Sequence, residues 1–182
     1  GVENIIFSNG VTWGLTDIQN RYLLNASTDG NDTIYGFGNF KQYISDTIAG
    51  GKGDDYMNGL EGDDTYIHNQ GDGIDTIVEG YLAGSDTLKL LGEALTSTNF
   101  NITENGYTAT FSFAGVTDKI NIPEQLSWSP AYGIEKIIFS DGITLNRGDL
   151  MFGVATNDVV TGNGNNNFLF GFAGNDSLGG GD

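Results

Sequence analysis

The chain has 182 residues, of which 24 are acidic and 7 are basic, so its formal charge at neutral pH is −17. Nucleic acids and anionic membranes are recognised through basic patches, so we expect neither as a partner and expect cations instead. The absence of cysteine excludes a disulfide framework, a thiol nucleophile and a cysteine-type zinc site. No apolar run reaches the roughly 20 residues of a membrane span, so we expect no membrane insertion, and residues 1–10 are not a signal peptide.

The first eighteen residues return near the other end of the chain. Residues 1–18 read GVENIIFSNGVTWGLTDI and residues 133–150 read GIEKIIFSDGITLNRGDL, with nine identities at a constant offset of 132. Each copy predicts a buried strand, a tight turn at Ser-Asn/Asp-Gly, and a second short strand. A glycine-rich array follows each copy. We therefore expect a tandem design within a longer chain, in which residues 1–20 are the closing β element of a preceding module.

The first array, expected over residues 21–88, is most regular at residues 50–67. These read GGKGDDYMN and then GLEGDDTYI, two units of Gly-x-x-Gly-x-Asp, one residue, one large apolar residue and one more. Glycine adopts the positive φ values of tight turns, and the aspartate adds a hard anionic ligand. The last three residues of each unit predict a short strand with one inward side chain.

Six aspartates hold the sixth position of successive units in this array, at spacings of 14, 9, 9, 11 and 11 residues: Asp32, Asp46, Asp55, Asp64, Asp75 and Asp86. Two positions later come the expected inward residues, which are Ile34, Ile48, Met57, Tyr66, Ile77 and Leu88. Asp54 and Asp63, at the fifth position, are expected to face solvent. The single histidine, His68, has no cysteine and no catalytic cluster of acids beside it, so we interpret it as a strand-end residue.

The nonapeptide is lost over residues 89–150, which form a predicted β-rich closing segment. Residues 107–113 alternate between apolar and polar side chains, and Asn105-Gly106 predicts a tight turn between them and residues 100–103. We expect a small antiparallel β element packed on the end of the array.

A second array is expected over residues 151–182. Its sixth positions are Asp158, Asn167 and Asp176, so Asn167 removes one charge.

The nonapeptides resemble the haemolysin-type calcium-binding (RTX) repeats of bacterial exoproteins exported by type I secretion. Residues 86–90 (DTLKL) through 134–142 (IEKIIFSDG) resemble the β-rich segment that often follows such repeats in large modular exoproteins. The resemblance implies an all-β fold, namely a parallel β-roll with a small antiparallel β element between the two arrays. In this roll, repeats i and i+2 stack on one side. It also implies export in an unfolded state and folding outside the cell on meeting calcium.

Turns stacked on one side of such a roll would hold several Ca²⁺ ions, since calcium prefers six to eight carboxylate and carbonyl oxygens. The expected acid pairs are Asp32 with Asp55, Asp46 with Asp64, Asp55 with Asp75, Asp64 with Asp86, and Asp158 with Asp176. The turns of the two regular units would also contribute ligand groups from Gly50, Lys52, Gly53, Gly59, Glu61 and Gly62. Strands this short bury too little apolar area to overcome chain entropy, so ion binding would drive folding.

We therefore predict a non-catalytic calcium-binding module that folds on extracellular Ca²⁺, supports type I secretion and is secreted or displayed at the cell surface. Its partners would be calcium, neighbouring modules of the same chain and, in transit, the secretion machinery. Two alternatives remain open. The tandem design and exposed aromatic residues would also suit a module of a surface adhesin or exopolysaccharide-binding protein with a glycan ligand. The chain could also be an accessory domain of a secreted enzyme.

Overall fold

The computed structural model describes residues 4–39, 41–80, 84–127, 132–153, 156–164 and 167–180. Its first elements are β1 (Asn4–Ile6), β2 (Thr12–Gly14), helix α1 (Leu15–Ala26), β3 (Thr33–Tyr35), β4 (Thr47–Ala49), β5 (Tyr56–Asn58), β6 (Thr65–Asn69), β7 (Ile74–Ile77) and β8 (Thr87–Leu91). They are followed by β9 (Phe100–Asn105), β10 (Thr108–Phe113), β11 (Lys119–Ile122), β12 (Lys136–Ile138), β13 (Thr144–Asn146), a 3-10 turn (Arg147–Asp149), β14 (Leu150–Phe152), β15 (Val159–Thr161), β16 (Phe168–Phe170) and β17 (Ser177–Gly179).

Two sheets, between which the chain alternates, form the body of the molecule. One has the strand order β3-β5-β7-β11-β10-β9, and the other has the order β13-β12-β8-β6-β4. Strands two repeats apart pair in parallel, with Ile34 opposite Met57 in the first sheet and Ile48 opposite Tyr66 in the second. The predicted parallel β-roll, with repeats i and i+2 stacked, is confirmed.

The core of the roll receives one main side chain from each short strand, because successive side chains point to opposite faces. All six predicted inward residues are at most 1% exposed: Ile34, Ile48, Met57, Tyr66, Ile77 and Leu88. The interior is therefore a narrow column of stacked side chains.

The antiparallel element joins the end of the roll through hydrogen-bonded strands. β9 and β10 form the predicted hairpin, with Asn105 opposite Thr108 and Gly106 at a φ of 64° in the turn. β11 then pairs in parallel with β7, and β12 pairs in parallel with β8. The rings of Phe100, Phe111 and Phe139 pack edge to face across this end. Both sheets of the roll thus continue into the closing segment.

The two copies of the repeated eighteen-residue segment are both hairpins but differ in burial. β1 pairs antiparallel with β2, and β12 pairs antiparallel with β13. Ile137 in β12 is 2% exposed because β12 also pairs with β8, whereas its counterpart Ile5 in β1 is 38% exposed and Ile6 is 75% exposed. The prediction of a buried first strand is therefore wrong, because β1 has only β2 beside it in the described residues.

Helix α1 follows the first hairpin at a place where the sequence analysis expected no helix. The Gly14 N–H donates to Asp17 Oδ2 at 2.8 Å, which closes the first turn of the helix. Leu23, 3% exposed, packs towards β3 and β4, so the helix covers the open end of the first coil. Within the described ranges, no helix is long and apolar enough to cross a bilayer.

The second array begins the same stacking again. β14 pairs in parallel with β16, and β15 pairs in parallel with β17. Val160 is the inward residue of β15 and is 7% exposed.

Candidate metal centre

Stacked aspartates form hydrogen-bonded ladders along the sides of the roll. In each step, the backbone N–H of one aspartate donates to the Oδ1 atom of the aspartate two repeats later. The five steps are Asp32 to Asp55 (2.8 Å), Asp46 to Asp64 (2.7 Å), Asp55 to Asp75 (3.1 Å), Asp64 to Asp86 (2.8 Å) and Asp158 to Asp176 (3.0 Å). The structure therefore brings together each of the five acid pairs that the sequence predicted.

The parallel pairing of the strands sets this geometry. Each of these aspartates lies directly before its strand, except Asp75, which is the second residue of β7. In the first array, the backbone N–H of the residue after the aspartate bonds across to the neighbouring coil. Thr76 donates to the Asp55 carbonyl at 2.7 Å, and Thr87 donates to the Asp64 carbonyl at 2.8 Å. Because the strands are held in register, each aspartate lies beside the aspartate two repeats away, just as the inward side chains of these strands lie beside one another.

The second carboxylate oxygens of the two central aspartates lack a donor. Asp55 and Asp64 are 2% and 1% exposed, and within the described part of the chain no hydrogen bond reaches either Oδ2 atom. Burying a charged oxygen without a partner costs free energy, so each of these oxygens would be stabilised by a bound cation or a proton. The available ligand atoms are hard oxygens, which suit calcium better than a soft transition metal.

The first glycine of each regular nonapeptide makes room for these oxygens. A Cβ atom on Gly50 would lie 2.1 Å from Asp55 Oδ2, and a Cβ atom on Gly59 would lie 2.0 Å from Asp64 Oδ2. Gly53 and Gly62, at the fourth position, have φ values of 126° and 148°, which favour glycine. The nonapeptide therefore uses one glycine for space and the other for backbone conformation.

Replacement of Gly59 with alanine tests this role. Because the new methyl group would collide with Asp64 Oδ2, we expect Gly59→Ala to lower the free energy of unfolding in calcium by about 1–3 kcal/mol. Urea unfolding followed by circular dichroism measures the change. Gly148→Ala is the matched control, since a Cβ atom there meets nothing within 4 Å. Equal stabilities of the two variants would contradict the space requirement.

The other predicted ligand residues of these turns lie closer to the surface. Lys52 Nζ is 3.0 Å from Asp29 Oδ2 in an exposed ion pair, and the Glu61 carbonyl accepts the Ile44 N–H at 3.1 Å. The Lys52 ammonium is therefore paired with an acid outside the ladders, and the Glu61 carbonyl serves a hydrogen bond between two coils.

The fifth-position acids are exposed, as expected, but they also connect coils. Asp54 Oδ1 accepts the Ile74 N–H at 2.9 Å, and Asp63 Oδ1 accepts the Ser85 N–H at 2.9 Å. In the second array, the sixth-position amide of Asn167 accepts the Asn163 N–H at 2.7 Å. An amide therefore reproduces the hydrogen bond of the turn while lacking the charge that binds a cation.

Sequence reasoning missed Glu135, which extends one ladder beyond Asp86. The Asp86 N–H donates to Glu135 Oε2 at 2.8 Å, the same type of step as between two aspartates. Glu135 precedes the inward residue Ile137 by two positions, which is the spacing of the aspartates in the regular repeats. That spacing was the signal that could have identified Glu135 in the sequence.

His68 lies near the end of β6, as the sequence suggested, but its side chain is fully buried among acids. Its Nδ1 lies 2.7 Å from Asp75 Oδ2, and its Nε2 lies 3.4 Å from Asp118 Oδ1. Burial lowers the pKa of His68, but Asp75, Asp72 and Asp118 outweigh that effect and hold the pKa above its ordinary 6.5. The imidazole therefore offsets the negative charge of the buried Asp75 carboxylate.

Glu79 was also missed, and it joins the ladder formed by Asp46, Asp64 and Asp86. One oxygen each from Asp64, Glu79 and Asp86 lie within 4.8 Å of one another, and all three residues are buried. Burial and the neighbouring carboxylates raise the pKa of Glu79 and of Asp86, and burial raises the pKa of Asp64 to about 6. His68 and Glu79 share a sequence signal, because each stands at the first-glycine position of an 11-residue repeat.

These raised pKa values predict that acid stabilises the ion-free protein. An aspartate ionises near 3.8 in the unfolded chain, whereas Asp64 ionises at about 6 in the folded protein, so the folded state binds more protons in between. The free energy of unfolding should therefore fall as pH rises from about 4 through 6, and further as Asp86 and Glu79 ionise. The raised pKa of His68 acts in the same direction.

The folded fraction in calcium-free buffer, followed by far-UV circular dichroism between pH 5 and pH 8, measures this dependence. It should be higher at pH 5. Saturating calcium should remove or reverse the difference, because ion-bound carboxylates stay ionised. An ion-free protein that is more stable at pH 8 than at pH 5 would show that the buried carboxylates do not oppose folding.

Two family models match this chain. The family model of the RTX calcium-binding nonapeptide repeat (4 copies) matches residues 27–39, 44–77 and 152–182. The model of the haemolysin-type calcium binding protein related domain matches residues 110–149. No curated protein matches the sequence.

Among solved structures, the extracellular lipase LipA from Serratia marcescens is 20% identical with a TM-score of 0.32, and the match covers 86% of this chain and 24% of the lipase chain. The chain thus spans about a quarter of the length of that lipase. The two family models cover both arrays and most of the segment between them, which is more than half of the sequence. Together with the parallel β-roll and its aspartate ladders, they show that this chain is a haemolysin-type RTX calcium-binding repeat protein.

Proposed function

We propose that this chain is a non-catalytic module that folds when it binds several Ca²⁺ ions outside the cell. The observation that carries the proposal is the pair of aspartate ladders, with donor-free oxygens on the buried carboxylates of Asp55 and Asp64. Proteins of the RTX-repeat family are typically secreted by type I export, which favours an extracellular site of folding.

Binding and folding would be coupled through the stacked turns. Each ladder step exists only when two coils are in register, so the unfolded chain does not hold a preformed site. Calcium would supply the positive charge that the buried carboxylates need, and its binding free energy would become folding free energy. Extracellular calcium modules of this class bind with dissociation constants of about 10⁻⁴–10⁻³ M. Such sites stay empty in the cytoplasm, which would keep the chain unfolded for export.

The proposal places an ion at the ladder steps formed by eight aspartates, with backbone oxygens of the turns Gly50–Gly53 and Gly59–Gly62 as further ligands. The aspartates are Asp32, Asp46, Asp55, Asp64, Asp75, Asp86, Asp158 and Asp176. Neighbouring modules of a longer chain and the type I secretion machinery are the partners that this role implies.

Counting the ions tests the proposal. Native mass spectrometry of the intact chain, titrated with calcium up to a few millimolar, should show several bound ions. Calcium-grown crystals should show anomalous peaks beside Asp55 and Asp64. Magnesium at the same concentration should give fewer bound ions, because it demands near-octahedral geometry and gives up its waters reluctantly. A protein that remains free of ions in millimolar calcium would overturn the proposal.

A further inference from the structure

The two 11-residue repeats depart from the nonapeptide at the same place. In the regular repeats, the first glycine faces the aspartate of its own repeat, as Gly50 faces Asp55 and Gly59 faces Asp64. In the longer repeats, this position holds His68 and Glu79. Two extra residues in the turn leave room for a side chain where the short turn has space for none.

The two side chains at this position act on their aspartates in different ways. His68 Nδ1 lies 2.7 Å from Asp75 Oδ2 and so gives that carboxylate a partner from the protein itself. Glu79 cannot do this, because it brings a further carboxylate to Asp86 and to Asp64. Glu79, in place of the glycine of the regular repeats, therefore adds negative charge next to Asp64 and Asp86 instead of offsetting theirs.

The position of Glu79 is fixed by a hydroxyl group. The Tyr66 hydroxyl donates to Glu79 Oε1 and accepts the Gly59 N–H at 2.6 Å. Tyr66 is the one inward residue of the first array that carries a hydroxyl, since the other five are Ile34, Ile48, Met57, Ile77 and Leu88. Tyr66 and Glu79 each depart from the repeat pattern, and their side chains are hydrogen-bonded to each other.

Two buried carboxylate oxygens of this group have no hydrogen-bond donor among the described residues. Asp64 is 1% exposed and Glu79 is 2% exposed, and among the described residues no hydrogen bond reaches Asp64 Oδ2 or Glu79 Oε2. The Tyr66 hydroxyl is already engaged with Glu79 Oε1, and the Asp64 N–H is engaged with Asp86 Oδ1 at 2.8 Å. The nearby protein groups therefore leave the negative charge of the cluster uncompensated.

We infer that Glu79 is a calcium ligand, which converts the Asp64–Asp86 step of the ladder into a three-carboxylate site that binds Ca²⁺ more tightly than the other steps. The inference rests on the proposed calcium binding and adds a ligand that the nonapeptide pattern does not contain. Calcium affinity rises with the number of charged ligands and the rigidity of the site, and this site has both a third carboxylate and a hydroxyl that holds it. Tyr66 acts as a positioning residue.

The test compares the intact wild-type chain with Glu79→Gln and with Glu93→Gln, an exposed glutamate that serves as the charge-matched control. Native mass spectrometry during a calcium titration should show one tight ion fewer in Glu79→Gln, or the loss of about tenfold in the affinity of the tightest ion. Glu93→Gln should match the wild type.

Each outcome separates the inference from the proposed function. If the wild type binds several ions and Glu79→Gln binds the same number with the same affinities, Glu79 is a structural hydrogen-bonding residue and the inference is wrong. If the wild type binds no ions, the proposed function fails and the inference fails with it. Anomalous scattering from calcium-grown wild-type crystals is independent of variant folding: a peak among Asp64, Glu79 and Asp86 supports the site, while peaks at the other ladder steps alone overturn it.

Discussion

Chelation of calcium at pH 8 is expected to remove most of the β structure of this protein, and millimolar calcium should restore it. The ladders place buried carboxylates one above another, and the strands between them contribute few inward side chains. Without a cation, the protein must either hold protons on these groups or separate the coils. Unfolding is therefore the expected result where protons are scarce.

The size of the effect follows from linkage. An ion at a hundredfold excess over its dissociation constant adds about 2.7 kcal/mol to the folded state, so two sites already add about 5 kcal/mol. That equals the lower end of the net stability of an ordinary domain. Far-UV circular dichroism and resistance to protease, with EGTA and then with added calcium, measure the transition. The same folded spectrum and the same resistance under both conditions would refute calcium-driven folding.

Replacing Asp64 with asparagine is expected to have the largest effect of any single charge change. Asp64 takes part in two ladder steps, since its Oδ1 accepts the Asp46 N–H and its own N–H donates to Asp86 Oδ1. An asparagine amide oxygen can still accept the Asp46 N–H, and in the second array the Asn167 amide oxygen closes its own turn by accepting the Asn163 N–H. Asp64→Asn therefore isolates the loss of charge at two sites from the loss of the turn.

We expect the calcium concentration at half-folding to rise by at least about tenfold in Asp64→Asn, which corresponds to about 1.4 kcal/mol. Asp63→Asn is the matched control, because it removes the same charge one residue away. Its amide oxygen can still accept the Ser85 N–H. Calcium titration followed by circular dichroism measures both variants. Equal midpoints would show that calcium responds to the net charge of the turn and not to the buried carboxylate.

A comparison of the two copies of the repeated segment shows where sequence similarity stops being informative. Both copies form the expected hairpin, and the spacing Asn146 to Asp149 even repeats the turn closure of Gly14 with Asp17. Beyond that point the first copy continues as helix α1, whereas the second continues as β14. The difference follows from the surroundings, since β14 has β16 beside it for pairing and α1 covers an open end of the roll.

The sequence by itself determined the roll, its inward residues and the pairing of its aspartates. In a solenoid each coil contacts mainly its neighbours, so residues at the same repeat position in adjacent coils are predicted to lie close together. Once repeats i and i+2 stack, the contact between Asp55 and Asp75 follows from their positions in the repeat, even at a spacing of 20 residues.

Only the tertiary structure decided the roles of the residues that break the period. His68 and Glu79 occupy equivalent positions in repeats of equal length, yet one compensates an aspartate and the other adds to the negative charge of two. Their effects depend on which side of the roll each side chain enters and on which groups it meets there, including the Tyr66 hydroxyl. Contacts of this kind form between side chains from different coils, and no spacing along the chain encodes them.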